Sequence, residues 1–329
     1  MDLPGLWMPK SEIALYRSMP KCACSSIGQL LYFSDHGHFF NGEFHRLTTG
    51  LHKWDFEASR NILMTHVTAR TTFTFSCVRN PYARIVSAFL DKICSPQDDG
   101  MFYSQKIHEI LSQAYGLDPN IIERAFYGDP EPRIKAFRRF LVFVHDCARS
   151  DGPAQLDIHW RPMAAHLGDF IRQGGRFDKI IWVEYFDHGM GYIFDHLSPN
   201  HRPQHVSHIK FNTAATALNL PIEAYFDQTA LFLMERIYQQ DFEFFGYRLN
   251  DPKNASPERE IHLHHLHTAL LENPGYAYNS AAALNKPRTE VSGRAPIWRI
   301  TSPAAMHPIL QQTSMGCFVT NPYKNPAAN

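Results

Sequence analysis

The stretch EIALYRSMPKCACSSIGQLLYF, residues 12–33, passes from an apolar segment to a helical pattern through a short run of small polar residues. Residues 12–17 are typical of a buried strand, and the apolar spacing from Ile27 onward predicts a helix. The turn between them holds one lysine, Lys21, and no glycine before Gly28. A strand, a turn of this kind and a helix predict the first unit of an α/β sheet.

The small residues of this turn favour anion binding. A helix N-terminus gathers amide donors and partial positive charge, and small side chains let a phosphate approach them. Ser25 and Ser26 add hydroxyl donors, and Lys21 adds a point charge. The alternative is a plain helix cap, in which Ser25 or Ser26 caps the helix and Lys21 is solvated.

The turn does not follow the GxxxxGK[ST] pattern of nucleotide-binding loops. Its lysine precedes the small residues, and the glycines of the pattern are missing. An ordinary ATPase or GTPase is therefore disfavoured.

Length and composition indicate one large domain, or one domain with an extension. The chain has 329 residues, of which 44% are hydrophobic and 19% charged, which is enough for a sizeable core. Lys plus Arg equals Asp plus Glu at 32 each, so no basic excess points to nucleic acid as a partner. No apolar run is long enough to predict a transmembrane segment. The N-terminus lacks a secretory pattern, and six cysteines without a regular framework favour a reduced, cytoplasmic protein.

Strand and helix patterns alternate along the chain. Residues 72–78 and 179–186 predict two more buried strands, so we expect an α/β fold with a P-loop-like parallel sheet flanked by helices. Further helices are expected at about residues 102–115, 133–147 and 222–240. We assign residues 1–250 to this domain. Residues 251–329, richer in Pro, Asn, Ala and Ser, are assigned to a C-terminal extension of unknown role.

One helical pattern, near residues 257–271, lies in the extension. Its HLHHLH motif, residues 262–267, spaces histidines three apart and could ligate a metal. The favoured interpretation is a surface helix with Leu263, Leu266 and Leu270 turned inward, and no metal is predicted for the protein.

A second junction between strand and helix follows residues 72–78. Asn80 is predicted as the cap of the helix and Pro81 as its first residue. The polar side of this helix is expected to carry Arg84, Ser87 and Asp91. Arg79 leaves the sheet at the carboxyl end of its strand, where ligands of open α/β sheets bind, and with Ser87 it can hold a phosphate. Two such junctions suggest a ligand with two separate phosphate groups.

Two segments resemble the phosphate-binding segments of the carbohydrate sulfotransferases. MPKCACSSI, residues 19–27, is similar to their loop for the 5′-phosphosulfate. FSCVRNPYARIVSAFLDK, residues 75–92, is similar to their segment for the 3′-phosphate. Other stretches that resemble the family, in the expected order, are THVTARTTFTFSCVR, LDIHWRP, FDKIIWVEYF and YQQDFEFFGY, residues 65–79, 156–162, 177–186 and 238–247. The resemblance covers about residues 11–248.

The resemblance implies a donor, 3′-phosphoadenosine 5′-phosphosulfate (PAPS), and transfer of its sulfuryl group without a metal. The acceptor would be a hydroxyl, less often an amine, of a carbohydrate or glycan-bearing small molecule. It implies that the 5′-phosphosulfate is held by Lys21, Cys22, Ala23, Cys24, Ser25 and Ser26. By the same resemblance Lys21 is also catalytic, and Arg79 and Ser87 hold the 3′-phosphate.

The resemblance also suggests the base that takes the acceptor's proton. His66 stands where similar enzymes place a histidine or another base, and a histidine titrates near neutral pH. His159 is the second candidate. Glu184 fits either a partner in the site or a buried ion pair.

The chain departs from the family pattern in places. Cys22, Cys24 and Ser26 stand where many relatives have Thr, Gly or Asn, and RNP replaces the commoner RDP at residues 79–81. Two other functions remain open: a small-molecule kinase of P-loop type, which would need ATP and Mg²⁺, and a nucleotide-binding relative without turnover. The acceptor itself has no readable code in the sequence.

Overall fold

The structure is a computed structural model. It describes residues 5–9, 11, 14–41, 52–53, 65, 72–94, 104–127, 130–149, 152, 154, 156–197, 199–203 and 220–272. All of these lie in one compact unit, residues 1–286, and the second unit, residues 287–329, lies outside the described residues.

A five-stranded sheet in the order β3-β1-β2-β4-β5 forms the centre of the described fold. The strands are β1 Leu6–Met8, β2 Ala14–Arg17, β3 His52–Lys53, β4 Phe73–Val78 and β5 Lys179–Trp182. β4 runs parallel to both β2 and β5, so the predicted parallel sheet is confirmed for these three strands. β1 pairs antiparallel with β2 and β3, so the sheet is mixed rather than wholly parallel.

The described helices flank this sheet. They are α1 Cys24–His36, α2 Pro81–Ala88, α3 Gln105–Tyr115, α4 Pro119–Tyr127, α5 Pro130–Cys147, α6 Met163–Arg172, α7 Phe186–Leu197, α8 Gln228–Phe245 and α9 Leu263–Glu272. A π-helical turn, Phe89–Cys94, continues α2, and short 3₁₀ turns span Val183–Tyr185 and Ile222–Tyr225. The helices expected near 102–115 and 133–147 are α3 and α5, whereas α4, α6 and α7 were not predicted.

Aromatic packing fixes the segments that carry the site. Phe89 in the π turn packs edge-on against Phe137 of α5, with ring centroids 5.4 Å apart. On the same helix, Phe140 packs edge-on against Trp160 at 5.3 Å. All four rings are buried. Because close-packed rings tolerate little displacement, the π turn, α5 and the turn before α6 hold one another in place.

The helix predicted near residues 257–271 is α9. Leu266 and Leu270 are buried, as expected for an amphipathic helix, and the helix packs against α6. His267 of the HLHHLH motif accepts a hydrogen bond from the amide of Phe177 at 3.3 Å.

Candidate functional site

The loop after β2 has an unusual backbone. Lys21 and Ala23 both have positive φ, 65° and 58°, which side-chain-bearing residues adopt at a cost. Ala23 is the N-cap of α1, with no side-chain hydrogen bond capping the helix. Ser25 and Ser26 lie inside the first turn, so the alternative in which one of them is a plain cap is wrong. The first-turn amides point out of the N-terminus, where partial positive charge gathers.

Cys22 anchors the middle of this loop. Its side chain is buried, its Sγ lies 3.6 Å from Sδ of Met163, and its amide donates to the carbonyl of Met19 at 3.1 Å. Burial raises the pKa of the Cys22 thiol to about 12 and also raises the pKa of Cys24. Both therefore stay protonated at neutral pH and shape the loop rather than act as nucleophiles.

Lys21 lies in an ion pair rather than in solvent. Its Nζ is 2.9 Å from Oδ2 of Asp91, and its side chain is 17% exposed. Lys92 Nζ approaches the same oxygen at 3.1 Å. Burial lowers the pKa of Lys21, and the charge and hydrogen bond of Asp91 oppose that effect. The expectation of a solvated Lys21, part of the plain-cap alternative, is thus contradicted.

Arg79 connects the two junctions. β2 and β4 are parallel neighbours in register, with Arg17 beside Ser76, so the loops that follow them leave the same edge of the sheet. Arg79 Nη1 donates to the carbonyl of Lys21 at 3.2 Å. Ser87 is partly exposed on α2, the helix that follows Arg79. The cationic residues of both junctions therefore lie side by side.

Asn80 caps α2 as predicted, with its side chain accepting from the amides of Tyr82 and Ala83 and with Pro81 following it. Its Nδ2 also donates to the carbonyls of Asn254 and Ala255, at 3.1 and 3.3 Å. An aspartate could cap the helix but could not donate to these carbonyls. The asparagine of RNP therefore ties the junction to the segment after α8.

Glu184 supports the same junction from beyond the end of β5. Its Oε1 accepts from the amide of Asn80 at 2.8 Å, and its Oε2 accepts from the hydroxyl of Tyr247 at 2.7 Å. Burial raises the pKa of this carboxyl, and the two hydrogen bonds and the nearby Arg79 oppose the rise. Glu184 therefore holds the junction in place through these two hydrogen bonds, and it also lies near the positive charge of Arg79.

The prediction for Arg84 is wrong. It was expected on the polar side of α2, but the side chain is buried. Its guanidinium donates to three carbonyls, those of Pro20, Ile158 and Arg161, at 3.0, 3.3 and 2.8 Å. The sequence showed only that an arginine lies three residues after Pro81, the predicted first residue of the helix. Whether its side chain points to solvent or into the core depended on the segments that pack against this helix. Arg84 joins the loop before Lys21 to the turn that carries His159.

His159 forms a dyad with Asp157. Its Nδ1 lies 2.8 Å from Oδ1 of Asp157, which also accepts from the His159 amide at 2.9 Å. Burial lowers the pKa of His159, the bond to Asp157 opposes this, and Lys92 and Lys21 lower it further. Arg84 connects the turn that carries this dyad to the residue before Lys21, through its bonds to the carbonyls of Pro20, Ile158 and Arg161. With Nδ1 bonded to a carboxylate, Nε2 is the nitrogen that can accept a proton.

A further carboxylate, Asp241, was missed by sequence reasoning. It is buried in α8 and accepts from the amides of Met163 and Ala164, at 2.9 and 2.8 Å. It therefore caps the N-terminus of α6 from another helix. Burial raises its pKa to about 6. Arg84 is among the charges that oppose this rise.

Some predicted features lie outside the described residues. These are His66, most of the loop at residues 36–60 and the stretch QHVSHIKFN at residues 204–212. In the described part of the chain, no three or more of His, Cys, Asp and Glu come together as a metal site requires. None of the helices described there combines the length and the apolar character needed to cross a membrane.

The parallel strands and flanking helices define an α/β protein in which two cationic strand–helix junctions lie at the same edge of the sheet. The model of the sulfotransferase family matches residues 5–248 of this chain, more than half of its 329 residues. The chain therefore belongs to the sulfotransferase family, which confirms the resemblance and supports transfer of sulfuryl groups in general. No curated protein and no solved structure matches the chain.

Proposed function

We propose that this protein transfers the sulfuryl group of PAPS to a hydroxyl of a carbohydrate or glycan-bearing acceptor. The observation that carries the proposal is the link between the two junctions, Arg79 Nη1 to the carbonyl of Lys21. PAPS has phosphate groups at both ends of one ribose, so it needs two anion sites close together. The family match supports the sulfuryl chemistry.

The first anion site, for the 5′-phosphosulfate, is the P-loop-like turn after β2. The positive φ values of Lys21 and Ala23 curve the loop, and Cys22 holds it against α6. The amides at the start of α1 and the hydroxyls of Ser25 and Ser26 then serve as donors to the oxygens of this group. In this assignment Cys22, Ala23 and Cys24 contribute through the shape and the backbone of the loop.

Lys21 carries the chemical step at this turn. Sulfuryl transfer, like phosphoryl transfer, is expected to be in-line with a loose transition state, so positioning and charge stabilisation dominate. The departing 5′-phosphate gains negative charge as the bond to sulfur breaks. Lys21 beside the bridging oxygen stabilises that charge where it develops.

The second anion site is the turn after β4. Arg79 and Ser87 hold the 3′-phosphate by hydrogen bonds to a dianion. This contact takes no part in bond breaking, but it selects a 3′-phosphorylated adenosine over ATP. Asn80 and Glu184 keep the turn in place through the bonds that they make to its backbone and to the segment after α8.

The acceptor's proton goes to a histidine in this mechanism. His66 stays the prediction from the family resemblance, and His159 is the candidate for which the described residues supply a geometry. Asp157 orients the His159 ring and stabilises the imidazolium that proton transfer creates. The bonds of Arg84 to the carbonyls of Pro20, Ile158 and Arg161 support the assignment, because they hold the turn that carries His159 near the loop where the acceptor must attack.

Calorimetry with 3′-phosphoadenosine 5′-phosphate, in the absence of metal, is the first test. Its tight binding supports the proposed donor, whereas tighter binding of ATP with Mg²⁺ would favour the kinase. The second test is transfer of labelled sulfate from PAPS to a panel of oligosaccharides and glycosides. Nucleotide binding without transfer to any acceptor, and without donor hydrolysis, would indicate the non-catalytic relative.

A further inference from the structure

We propose that Asp91 is a positioning residue that keeps Lys21 protonated and held at the loop, and that Lys92 limits this effect by sharing the same carboxylate. The inference deepens the proposed function and rests on the role given there to Lys21. Asp91 was expected only as a polar residue of the helix face.

The geometry of the three side chains carries the inference. Lys21 comes from the loop after β2, and Asp91 comes from the π turn 70 residues later in the chain. Oδ2 of Asp91 lies 2.9 Å from Lys21 Nζ and 3.1 Å from Lys92 Nζ, and the Asp91 side chain is 33% exposed. One carboxylate oxygen therefore serves two ammonium groups.

Asp91 and Lys92 are consecutive residues of the π turn. Consecutive residues of an α-helix do not face each other. The shared oxygen is found where the backbone leaves α-helical geometry, at Phe89–Cys94. Such π turns occur often at functional sites.

Asp91 is poorly suited to be a base. Burial alone would raise its pKa, but Lys21 and then Lys92 overcome that effect and hold the pKa below its ordinary value. A carboxylate with a lowered pKa stays ionised at neutral pH and does not take up a proton. What it offers instead is a fixed negative charge beside Lys21.

Lys21 needs such a partner because its surroundings favour the neutral amine. Burial is the largest influence on its pKa and lowers it, and the charge of Lys92 lowers it as well. A neutral amine could not stabilise the departing phosphate. Among the described residues, the groups that act on the Lys21 amine are Asp91 and Lys92 in the π turn and Cys24 in α1. Arg79 after β4 donates to the Lys21 carbonyl, and the charge of Lys21 lowers the pKa of His159 before α6. Asp91 has the largest effect that keeps Lys21 charged.

The first experiment measures the protonation of Lys21 in the protein alone. An amine-reactive acylating reagent at limiting concentration, followed by mass spectrometry over a range of pH, reports the neutral fraction of Lys21. Asp91→Asn should raise the labelling rate of Lys21 at pH 7.5 several-fold, because the amine loses its counter-charge. Asp91→Glu should restore a rate near that of the wild type.

Lys92→Met should have the opposite effect on the labelling rate of Lys21. It leaves Asp91 wholly to Lys21 and removes a repulsive charge, so labelling of Lys21 should slow. Glu131→Gln is the matched control, because it breaks the exposed pair of Glu131 with Lys135 and should leave Lys21 unchanged. If Asp91→Asn unfolds the protein, the slower labelling in Lys92→Met still supports the inference, and an unchanged rate overturns it.

The second experiment uses the reaction. With PAPS and an acceptor, Asp91→Asn should lower kcat by about tenfold or more at pH 8 and move the alkaline limb of the pH–rate profile to lower pH. Labelling that does not respond to Asp91→Asn in a folded protein overturns the inference even if transfer from PAPS is found. Labelling that responds while the wild type transfers no sulfate supports the role of Asp91 and instead rejects the proposed function.

Discussion

Arg84 Nε lies 3.0 Å from the carbonyl oxygen of Pro20, so a buried side chain of helix α2 holds the residue that precedes Lys21. The same guanidinium reaches Ile158 and Arg161 on either side of His159. One arginine thus ties together the loop, the second junction and the histidine turn. The candidate site depends on this buried link for its geometry.

Arg84→Met should destabilise the protein strongly. It leaves three carbonyls without their donor, and we expect the free energy of unfolding to fall by about 2–4 kcal/mol in a urea titration. Arg84→Lys should recover only part of this loss, because one ammonium cannot match the spread of a guanidinium. The control is Arg138→Met, which breaks a half-exposed pair with Asp227 and should cost about 1 kcal/mol or less. Equal losses in the two methionine variants would contradict the linking role.

Arg79→Ala should discriminate between nucleotides. Loss of a charge-assisted contact to the 3′-phosphate should weaken binding of 3′-phosphoadenosine 5′-phosphate by roughly 2–4 kcal/mol, while binding of AMP changes little. Calorimetry with both nucleotides measures this. Ser87→Ala should show the same preference with a smaller loss, about 1 kcal/mol. Equal losses for the two nucleotides would reject the assignment of the 3′-phosphate site.

Lys21→Ala should affect the chemical step more than binding. A contact made chiefly in the transition state lowers kcat far more than it raises the Kd of the nucleotide. Steady-state kinetics with PAPS and calorimetry with the product nucleotide separate the two quantities. Lys135→Ala is the matched control, since Lys135 lies in an exposed ion pair with Glu131 on α5, and its kcat should not change. If binding collapses while kcat holds, Lys21 is only a ligand of the ground-state phosphate.

The two candidate bases can be compared side by side. Removal of a general base typically costs a factor of about 10²–10⁴ in rate. On the family resemblance His66→Ala should lose about that factor and the acidic limb of the pH–rate profile, and His159→Ala should lose less. If His66→Ala retains more than about a tenth of kcat, the role moves to His159 or to a carboxylate.

Asp157→Asn tests His159 in a second way. Asp157 opposes the lowering of the His159 pKa, so its removal should lower that pKa further. A base must be unprotonated, and activity is lost as pH falls through its pKa. If His159 is the base, the acidic limb in Asp157→Asn moves to lower pH. If the limb does not move, the base is another group.

Asp241 predicts a pH dependence of stability. Burial raises its pKa in the folded protein to about 6, above the value of about 4 in an unfolded chain. The folded state therefore binds this proton more tightly, and the contribution of Asp241 to stability is present below about pH 4 and is lost as pH rises through about 6.

Asp241→Asn should lose this dependence. Asparagine also has one acceptor oxygen where two amides need partners, so the variant should be less stable by about 1–3 kcal/mol. The difference in unfolding free energy between wild type and variant should be larger at pH 5 than at pH 7.5, measured by urea titration. A difference that is constant with pH would contradict the raised pKa.

The sequence by itself determined the local units of this protein. Three features were predictable because each depends on residues within a few positions of one another. They are the parallel strands, the start of α2 with Asn80 as cap and Pro81 after it, and the amphipathic face of α9. Lys21 and Arg79 could be placed at strand ends for the same reason. The family resemblance then indicated sulfuryl transfer as the chemistry for which two such junctions would bind the donor.

Only the tertiary structure decided which partners these residues have. Asp91 meets Lys21 from 70 residues away, and Asp241 meets Met163 from 78 residues away. Arg84 points inward because the carbonyls of two distant turns surround it. The antiparallel edge of the sheet forms because β1, which is three residues long, pairs with β2 and β3. The sequence pattern shows which residues are apolar and which are charged. The direction in which a buried charged side chain points, and its pKa, are set by the groups that folding brings beside it.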